Sequence, residues 1–353
     1  MNLVWLAILI GFAIDLLIGD PRSIPHPVVL IGKLIDFLCD WVGFHSEEIH
    51  NGDGSTCKKG EGFYNGDGST CKSGEGASKA IERIKGGIVW FIVAALSFLV
   101  PFLILLILGK INLWLRLAVE TIMCWQILAT KGLRDAAMNV YKALKNGSIE
   151  DARHEVAMIV GRDVTSLDEK GITRAAVETV AENTSDGVIA PLLYMAIGGA
   201  PLGFLYKAVN TMDSMLGYTD PPYTNIGFVP ANMDDIFNAV PARISAILML
   251  LAGRFLGMDY KNGWKIFKRD RYNHASPNSA QTEAACAGLL DIQLAGDAYY
   301  HGVLHKKKYI GDAIREIETE DIPRAGKLLY VTALLAVMVS LLISLIVHSL
   351  ILH

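Results

Sequence analysis

GGIVWFIVAALSFLVPFLILLILG, residues 86–109, holds no charged side chain and one proline, Pro101. A helix needs about 20 residues to cross the hydrocarbon of a bilayer. The stretch therefore predicts a transmembrane helix, and Pro101 is tolerable there because neighbouring helices satisfy the carbonyl it frees. Two further stretches read the same way: 3–18, whose one charge is Asp15, and 328–351, where only His348 can charge near neutral pH. The first lacks a basic lead-in and a small-residue cleavage site before Gly19-Asp20-Pro21, so it reads as a retained span and not a signal peptide.

Three weaker apolar stretches flank these. Residues 111–130 contain Arg116 and Glu120, spaced i,i+4 so that they share a helical face and can pair inside a bundle. Residues 188–206 carry Pro191, Gly198, Gly199, Pro201 and Gly203, which break a helix, and 244–257 is short and contains Arg254. The expectation is that 111–130 crosses and that the other two are re-entrant or membrane-packed. Cytoplasmic loops collect lysine and arginine. Four spans would leave Lys110 outside and put Arg22, Lys33, Arg83, Lys85, Lys131, Arg134, Arg324 and Lys327 inside. The fold class expected is mostly α, a polytopic integral membrane protein with about four transmembrane helices plus re-entrant or membrane-packed helices. Its parts would be a first span at 1–19, a cytoplasmic loop at 20–85, a transmembrane hairpin at 86–130, a cytoplasm-facing catalytic region at 131–327 and a last span at 328–353. Both termini would lie outside a cell membrane.

Composition agrees: 52% hydrophobic and 19% charged residues, with mean hydropathy +0.36, exclude a disordered chain. A net charge of −4 supplies no field for nucleic acid, so any phosphate recognition must be local. The five cysteines show no zinc or disulfide spacing and read as reduced thiols. Residues 51–78 are a direct tandem repeat opening on Asn51-Gly-Asp-Gly and Asn65-Gly-Asp-Gly, too glycine-rich for a core and expected to be a mobile spacer loop. Leu133, Ala137, Val140 and Leu144 mark a helix that Gly147 stops, and Ser148 with Asp151 and Ser166 with Glu169 suit capping boxes. His301 and His305, ahead of three lysines, read as a solvated helix end.

Polar residues cluster at helical spacing. Arg174, Glu178, Glu182 and Asp186 fall at successive i+4 positions, with Asn183 beside them: either a cation or substrate offsets three carboxylates, or they form a solvated acidic face steadied by Arg174. Lys207, Asn210, Asp213 and Ser214 form a second cluster; Asp234, Asp235, Asn238 and Arg243 form a third. Such oxygen sets suit Mg²⁺. The plainer reading of Asp234-Asp235 is charge complementing a helix N-terminus. His274 through Glu283 has the look of a helix start that could cradle an anion, and Gly19-Asp20-Pro21 with His26-Pro27 reads as a turn at the membrane surface. No P-loop motif occurs.

Taken in order, Gly19-Asp20-Pro21, Gly161-Arg162-Asp163, Glu178 through Pro191, Tyr206 through Ser214 with Gly217-Tyr218, Asp234 through Arg243, Asn278 through Glu283 and Gly311-Asp312 resemble the adenosylcobinamide-phosphate synthase family of cobalamin biosynthesis, CbiB or CobD. The resemblance implies a membrane enzyme joining a propionate of adenosylcobyric acid to aminopropanol or its O-phosphate, with ATP and Mg²⁺. It implies catalytic roles for Glu178, Glu182, Asn183, Asp186, Lys207, Asn210, Asp213 and Arg243, and substrate contacts from Asp20, His26, Ser214, Asn278, Ser279 and Glu283. Glu182, Asp186, Asp213, Asp234 and Asp235 become the metal candidates. Partners implied are the corrinoid, the amino alcohol or its phosphate, the lipid bilayer and other corrinoid-pathway enzymes, with no nucleic acid. Two other classes fit the same composition: a transporter using Asp15, Arg116-Glu120 and the 188–206 break, or a non-catalytic relative.

Overall fold

A computed structural model describes residues 3–21, 26–44, 72–218, 222–300 and 303–351. The chain is a mostly α, multi-pass membrane protein. Among the described residues five helical segments are long and apolar enough to span, Ser78–Ile111, Leu113–Asn146, Glu169–Leu216, Phe228–Phe255 and Asp321–Val347, with Val4–Ile18 as a shorter apolar helix. In chain order the helices are α1 (Val4–Ile18), α2 (Pro27–Trp41), α3 (Lys72–Ile111), α4 (Leu113–Ile127), α5 (Thr130–Asn146), α6 (Ile149–Ala157) and α7 (Glu169–Thr184). A π-helical turn, Ser185–Ile189, leads into α8 (Ala190–Leu216), followed by α9 (Tyr223–Ile226), α10 (Phe228–Phe255), α11 (Tyr260–Asp270), α12 (Ser279–Leu290) and α13 (Asp321–Ile351).

The two stretches expected as separate pieces belong to longer elements. Residues 188–206 run through the π turn into α8, and the glycines break that helix as anticipated: Gly198 and Gly199 leave helical geometry, with Gly199 at φ +67°. Residues 244–255 are the C-terminal half of α10, which starts sixteen positions earlier at Phe228. A local hydropathy window undercounts both helices because their polar halves face protein; the most apolar part of the Glu169–Leu216 segment is 72% buried inside the molecule.

Charges inside the bundle are committed to structure. Asp15 is fully buried and its Oδ2 accepts the Thr130 backbone N–H at 3.0 Å, holding the start of α5 against the end of α1. Arg116 and Glu120 pair at 3.6 Å as expected, with Glu120 3% exposed beside the Gly199 kink. The Ser148–Asp151 capping box forms on α6. The one expected at Ser166 does not: Asp168 caps α7 by accepting the Gly171 N–H at 2.8 Å, and Glu169 instead accepts the Thr319 hydroxyl at 2.7 Å. Asp168 is the shorter acid and sits one residue before the first helical turn, where its oxygen reaches the free N–H groups.

Between α12 and α13 the chain forms two short antiparallel ladders, β1 (Leu294–Ala295) with β4 (Tyr309–Ile310) and β2 (Ala298–Tyr300) with β3 (Val303–His305). His305 pairs in register with Ala298, so the helix end expected there is a hairpin. His301 lies outside the described residues, as do 51–71 of the tandem repeat with Cys57 and Cys71; the repeat's last residues, from Lys72, open α3. Cys39, Cys124 and Cys286 are buried free thiols.

Gly86 tests the packing of α3 on α9. A Cβ there would run into the carbonyl of Ile226, whereas one at Gly87 meets only the Val229 methyl at 3.7 Å. Gly86→Ala should cost about 1–3 kcal/mol through forced backbone shift, and Gly87→Ala should be neutral within about 1 kcal/mol. Thermal unfolding of both variants in detergent checks the contrast.

Candidate active site

The face of α7 supplies the first wall. Arg174 was the expected cation beside Glu178, but Arg162 takes that place: its Nη2 lies 2.9 Å from Glu178 Oε2, while Glu178 Oε1 accepts the Ala295 N–H at 2.6 Å. Glu178 is therefore anchored, and α7 is tied to β1 through it. A cavity of about 290 Å³ opens beside this pair, lined among others by Arg162, Glu178, Glu182, His274, Glu283 and Lys307. Asn183 lines it too, with its amide donating to the Thr179 carbonyl at 3.0 Å.

Glu283 enters the cavity from α12 at 4% exposure and has no hydrogen-bond or ion-pair partner among the described residues. Burial, reinforced by Glu182 and Glu178, pushes its carboxyl well above the usual carboxylate range against the opposing pull of Lys307 and Arg162. His274 responds oppositely: burial holds its imidazole below the usual histidine range despite Glu182 nearby. Its Nδ1 accepts the Ser276 N–H at 3.1 Å, which fixes that nitrogen as unprotonated.

Helices α8 and α10 extend the polar surface. Asp234, 8% exposed, accepts Asn238 Nδ2 at 2.9 Å and a long contact from Asn210 Nδ2 at 3.5 Å. Asn238 in turn accepts the hydroxyl of fully buried Tyr206 at 2.8 Å, and Tyr206 stacks on Tyr194 with centroids 5.1 Å apart. Asp234 is thus aimed by a relay of neutral donors from two helices. It lies in the second turn of α10, so complementing a helix terminus does not explain it. Asp186 lies within electrostatic reach of Asp234, Glu182 and Lys207, and Asp213 within reach of Asp234, Asp235 and Glu182. Glu182 is common to both groups, and it joins the α8–α10 carboxylates to the cavity.

Asp235 points the other way. Its carboxylate accepts Ser276 Oγ at 3.0 Å and Asn278 Nδ2 at 3.3 Å, and Asn278 also donates to the Asp235 carbonyl at 2.9 Å. Arg243 Nη1 donates to Asn278 Oδ1 at 3.3 Å. Asn278 occupies the N-cap position of α12 without capping it, because its side chain is spent on α10. Ser279 begins the helix just behind it.

At the membrane-surface turn, His26 Nε2 faces Asp20 Oδ2 at 3.6 Å and its Nδ1 accepts the Val28 N–H at 3.2 Å, capping α2. Burial lowers the His26 pKa against the opposing pull of Asp20, and Lys207 adds to the lowering. Lys207 lies between Asp20 and Asp186, linking this turn to the carboxylate row. Ser214 is not drawn in: it is exposed and its hydroxyl donates back to the Asn210 carbonyl.

Sequence reading gave no site role to Arg162 or Lys307, while Tyr206, Asn238 and His274 stood within its polar clusters without a role of their own. Arg162 stood within a quoted motif, and Tyr206 and Asn238 sit four positions from Asn210 and Asp234, a spacing that signalled them. Lys307, in a run of three lysines, carried no such signal.

The family described as CobD/Cbib protein matches residues 8–329. Cobalamin biosynthesis protein CobD of Clostridium perfringens is 42% identical over 336 residues, covering 95% of this chain and 96% of that one. CobD of Clostridium tetani is 41% identical over 332 residues, covering 94% and 95%, and cobalamin biosynthesis protein CbiB of Salmonella arizonae is 40% identical over 334 residues, covering 94% of each. No solved structure matches the chain.

His26 and His274 give the fold a pH dependence with a definite sign. Both are held neutral when folded, so below the unfolded value of about 6.5 the unfolded chain binds more protons. Stability should be fully present above about pH 6.5 and fall as pH drops beneath it, by up to about 1.4 kcal/mol per pH unit for each histidine. Changing both to Asn, which keeps an acceptor for the backbone N–H, should flatten that limb in denaturant titrations between about pH 5 and 7.5.

Proposed function

The chain belongs to the CobD/CbiB family of cobalamin biosynthesis proteins, and from that premise we propose that it forms an amide between a propionate of adenosylcobyric acid and the amine of aminopropanol or its O-phosphate, at the expense of ATP. The observation that carries this reading is the cavity in which Glu178, Glu182 and Glu283 meet Arg162 and Lys307 next to the carboxylates of α8 and α10. Its volume of about 290 Å³ suits a small amine and one propionate arm, with the corrin ring left outside.

A carboxylate is a poor acyl donor. A propionate oxygen attacks the γ-phosphorus of ATP, releasing ADP and leaving an acyl phosphate; the amine nitrogen then attacks the acyl carbon, the carbon–oxygen bond to phosphate breaks, and phosphate departs. The amine arrives as an ammonium ion and must lose a proton first. Glu283 is placed to take it: it is buried in the cavity and has no hydrogen-bond or ion-pair partner among the described residues. Glu182, shared by both carboxylate groups, holds the ammonium beforehand. Lys207 and Arg243 answer negative charge that develops on the phosphoryl oxygens. The Tyr206–Asn238–Asp234 relay fixes Asp234 without another charge.

Magnesium fits this donor set in one form. Among the described residues no three His, Cys, Asp or Glu side chains group as a ready metal cage, but Mg²⁺ commonly takes one or two carboxylates and completes its shell with water and substrate phosphates. One or two of Asp186, Asp213 and Asp234 would hold it so, with Glu182 left to the ammonium ion, and it would supply charge neutralisation on the phosphates. Asp235 has Oδ1 taken by Ser276 and Asn278, and Asp234 has each oxygen facing an amide.

A reaction that uses ATP would have its site on the cytoplasmic side; with both termini outside, reporter fusions after Asp163 and Asp312 should both read cytoplasm. Asp15 and the Arg116–Glu120 pair, which a transport pathway would use, are committed to helix packing, which supports an enzyme over a carrier.

Purified protein with ATP, Mg²⁺, adenosylcobyric acid and either aminopropanol or its phosphate should yield the amide, detected by mass. Asp186→Asn, Asp213→Asn and Asp234→Asn should each lower turnover about 100-fold or more with normal expression, since a charged oxygen is lost where water is scarce. Glu316→Gln, on a side chain 80% exposed, should behave as wild type. Absence of product with either amine, or carboxylate variants matching that control, would overturn the reading.

A further inference from the structure

Arg162 has a second side. Opposite the acidic cavity, its guanidinium lines another of about 150 Å³, bounded also by Arg174, Ser166, Asp163 and Asp297 and by the opening turn of α7 at Gly171. Arg174 faces this space with no ion pair or hydrogen bond among the described residues, and its Nε is fully shielded from solvent. The Arg162 Nε is likewise shielded and unbonded, its Nη2 alone being taken by Glu178. Buried donors on a cation are costly to leave unmade. Two guanidinium side chains line one small cavity, and the N–H edges of such groups are what planar or tetrahedral oxyanions satisfy.

Two acids share the wall: Asp163, and Asp297, whose Oδ1 accepts the Lys307 backbone N–H at 3.2 Å. Neither forms an ion pair with Arg174 among the described residues. The Ser166 side chain adds a hydroxyl, and the first turn of α7 turns the positive end of its dipole toward the space.

We propose that this second cavity is a binding subsite for a phosphate group, held between the guanidinium groups of Arg174 and Arg162. Arg162 then has two tasks at one position: it anchors Glu178 on the acidic side and reads an anion on the other. A phosphate seated there would lie across Arg162 from the cavity assigned to the ammonium ion, so the two cavities sort charge of opposite sign. The subsite itself does not depend on the amide-forming reaction; identifying which reactant brings the phosphate does rest on that reading.

Inorganic phosphate is the probe for the test, with the full-length protein in detergent. Isothermal titration should show saturable binding to wild type, weakened at least tenfold in Arg174→Gln and less in Arg174→Lys, which keeps the charge. Wild-type protein should also lose phenylglyoxal labelling at Arg174 when phosphate is present, read by peptide mass spectrometry; this arm holds even if Arg174→Gln fails to fold. No phosphate binding to wild type, equal affinity in Arg174→Gln, or labelling at Arg174 indifferent to phosphate would each overturn the subsite. Competition then identifies the source: displacement of phosphate by ATP and not by aminopropanol phosphate marks a nucleotide subsite, and the reverse marks a substrate subsite. These readouts measure binding, so a protein that binds phosphate at Arg174 but makes no amide refutes the reaction and leaves the subsite standing.

Discussion

Carboxylates inside a helical membrane bundle can persist only if something offsets their desolvation, and the middle of this chain is organised around that constraint. Glu178 is met by a guanidinium and a backbone N–H, Asp234 by two amides, and Asp235 by a hydroxyl and an amide. Apart from Asn238, which shares α10 with Asp234, these partners come from other elements, so satisfying the acids ties α7 to β1, α8 to α10, and α10 to the start of α12. What remains unanswered by protein groups, Glu283 in one cavity and Arg174 in the next, is what a ligand would complete.

The diversion of Asn278 shows how closely the site and the fold are bound together. A cap residue ordinarily stabilises its own helix by about 1 kcal/mol, and here that contribution is forgone so that the start of α12 is clamped to α10. Glu283 sits in the second turn of that clamped helix. The clamp on the helix that carries the unpaired acid runs through Asp235, a residue that sequence alone groups with the metal candidates.

Sequence patterns made the architecture readable where a single physical cause dominated. The charge-free stretch at 86–109 could only be a membrane helix, the Arg116–Glu120 spacing could only pair on one face, and the glycines near 198 do break their helix. Reading was poorer where burial against protein replaced burial against lipid: α7, α8 and α10 mix polar and apolar faces, and their lengths were underestimated. The site's acids were legible from their i+4 spacing, because a helix aligns what the sequence spaces. Arg162 and Lys307 were not, since they reach the cavity from loops and no local period announces a loop's direction.

The π turn at Ser185–Ile189 has a bearing on how such a chain can change over time. A regular helix advances about 100° per residue, and a π turn absorbs one extra position without ending the helix. The residues between it and the break at Gly198 and Gly199 are therefore out of phase with the face that carries Glu178 and Glu182. Single-residue deletion within that turn would restore a smooth cylinder and rotate that segment by about a third of a revolution. Substitutions along these helices alter one side chain at a time; a length change here alters them all together, so the number of residues is under tighter restraint than their identity.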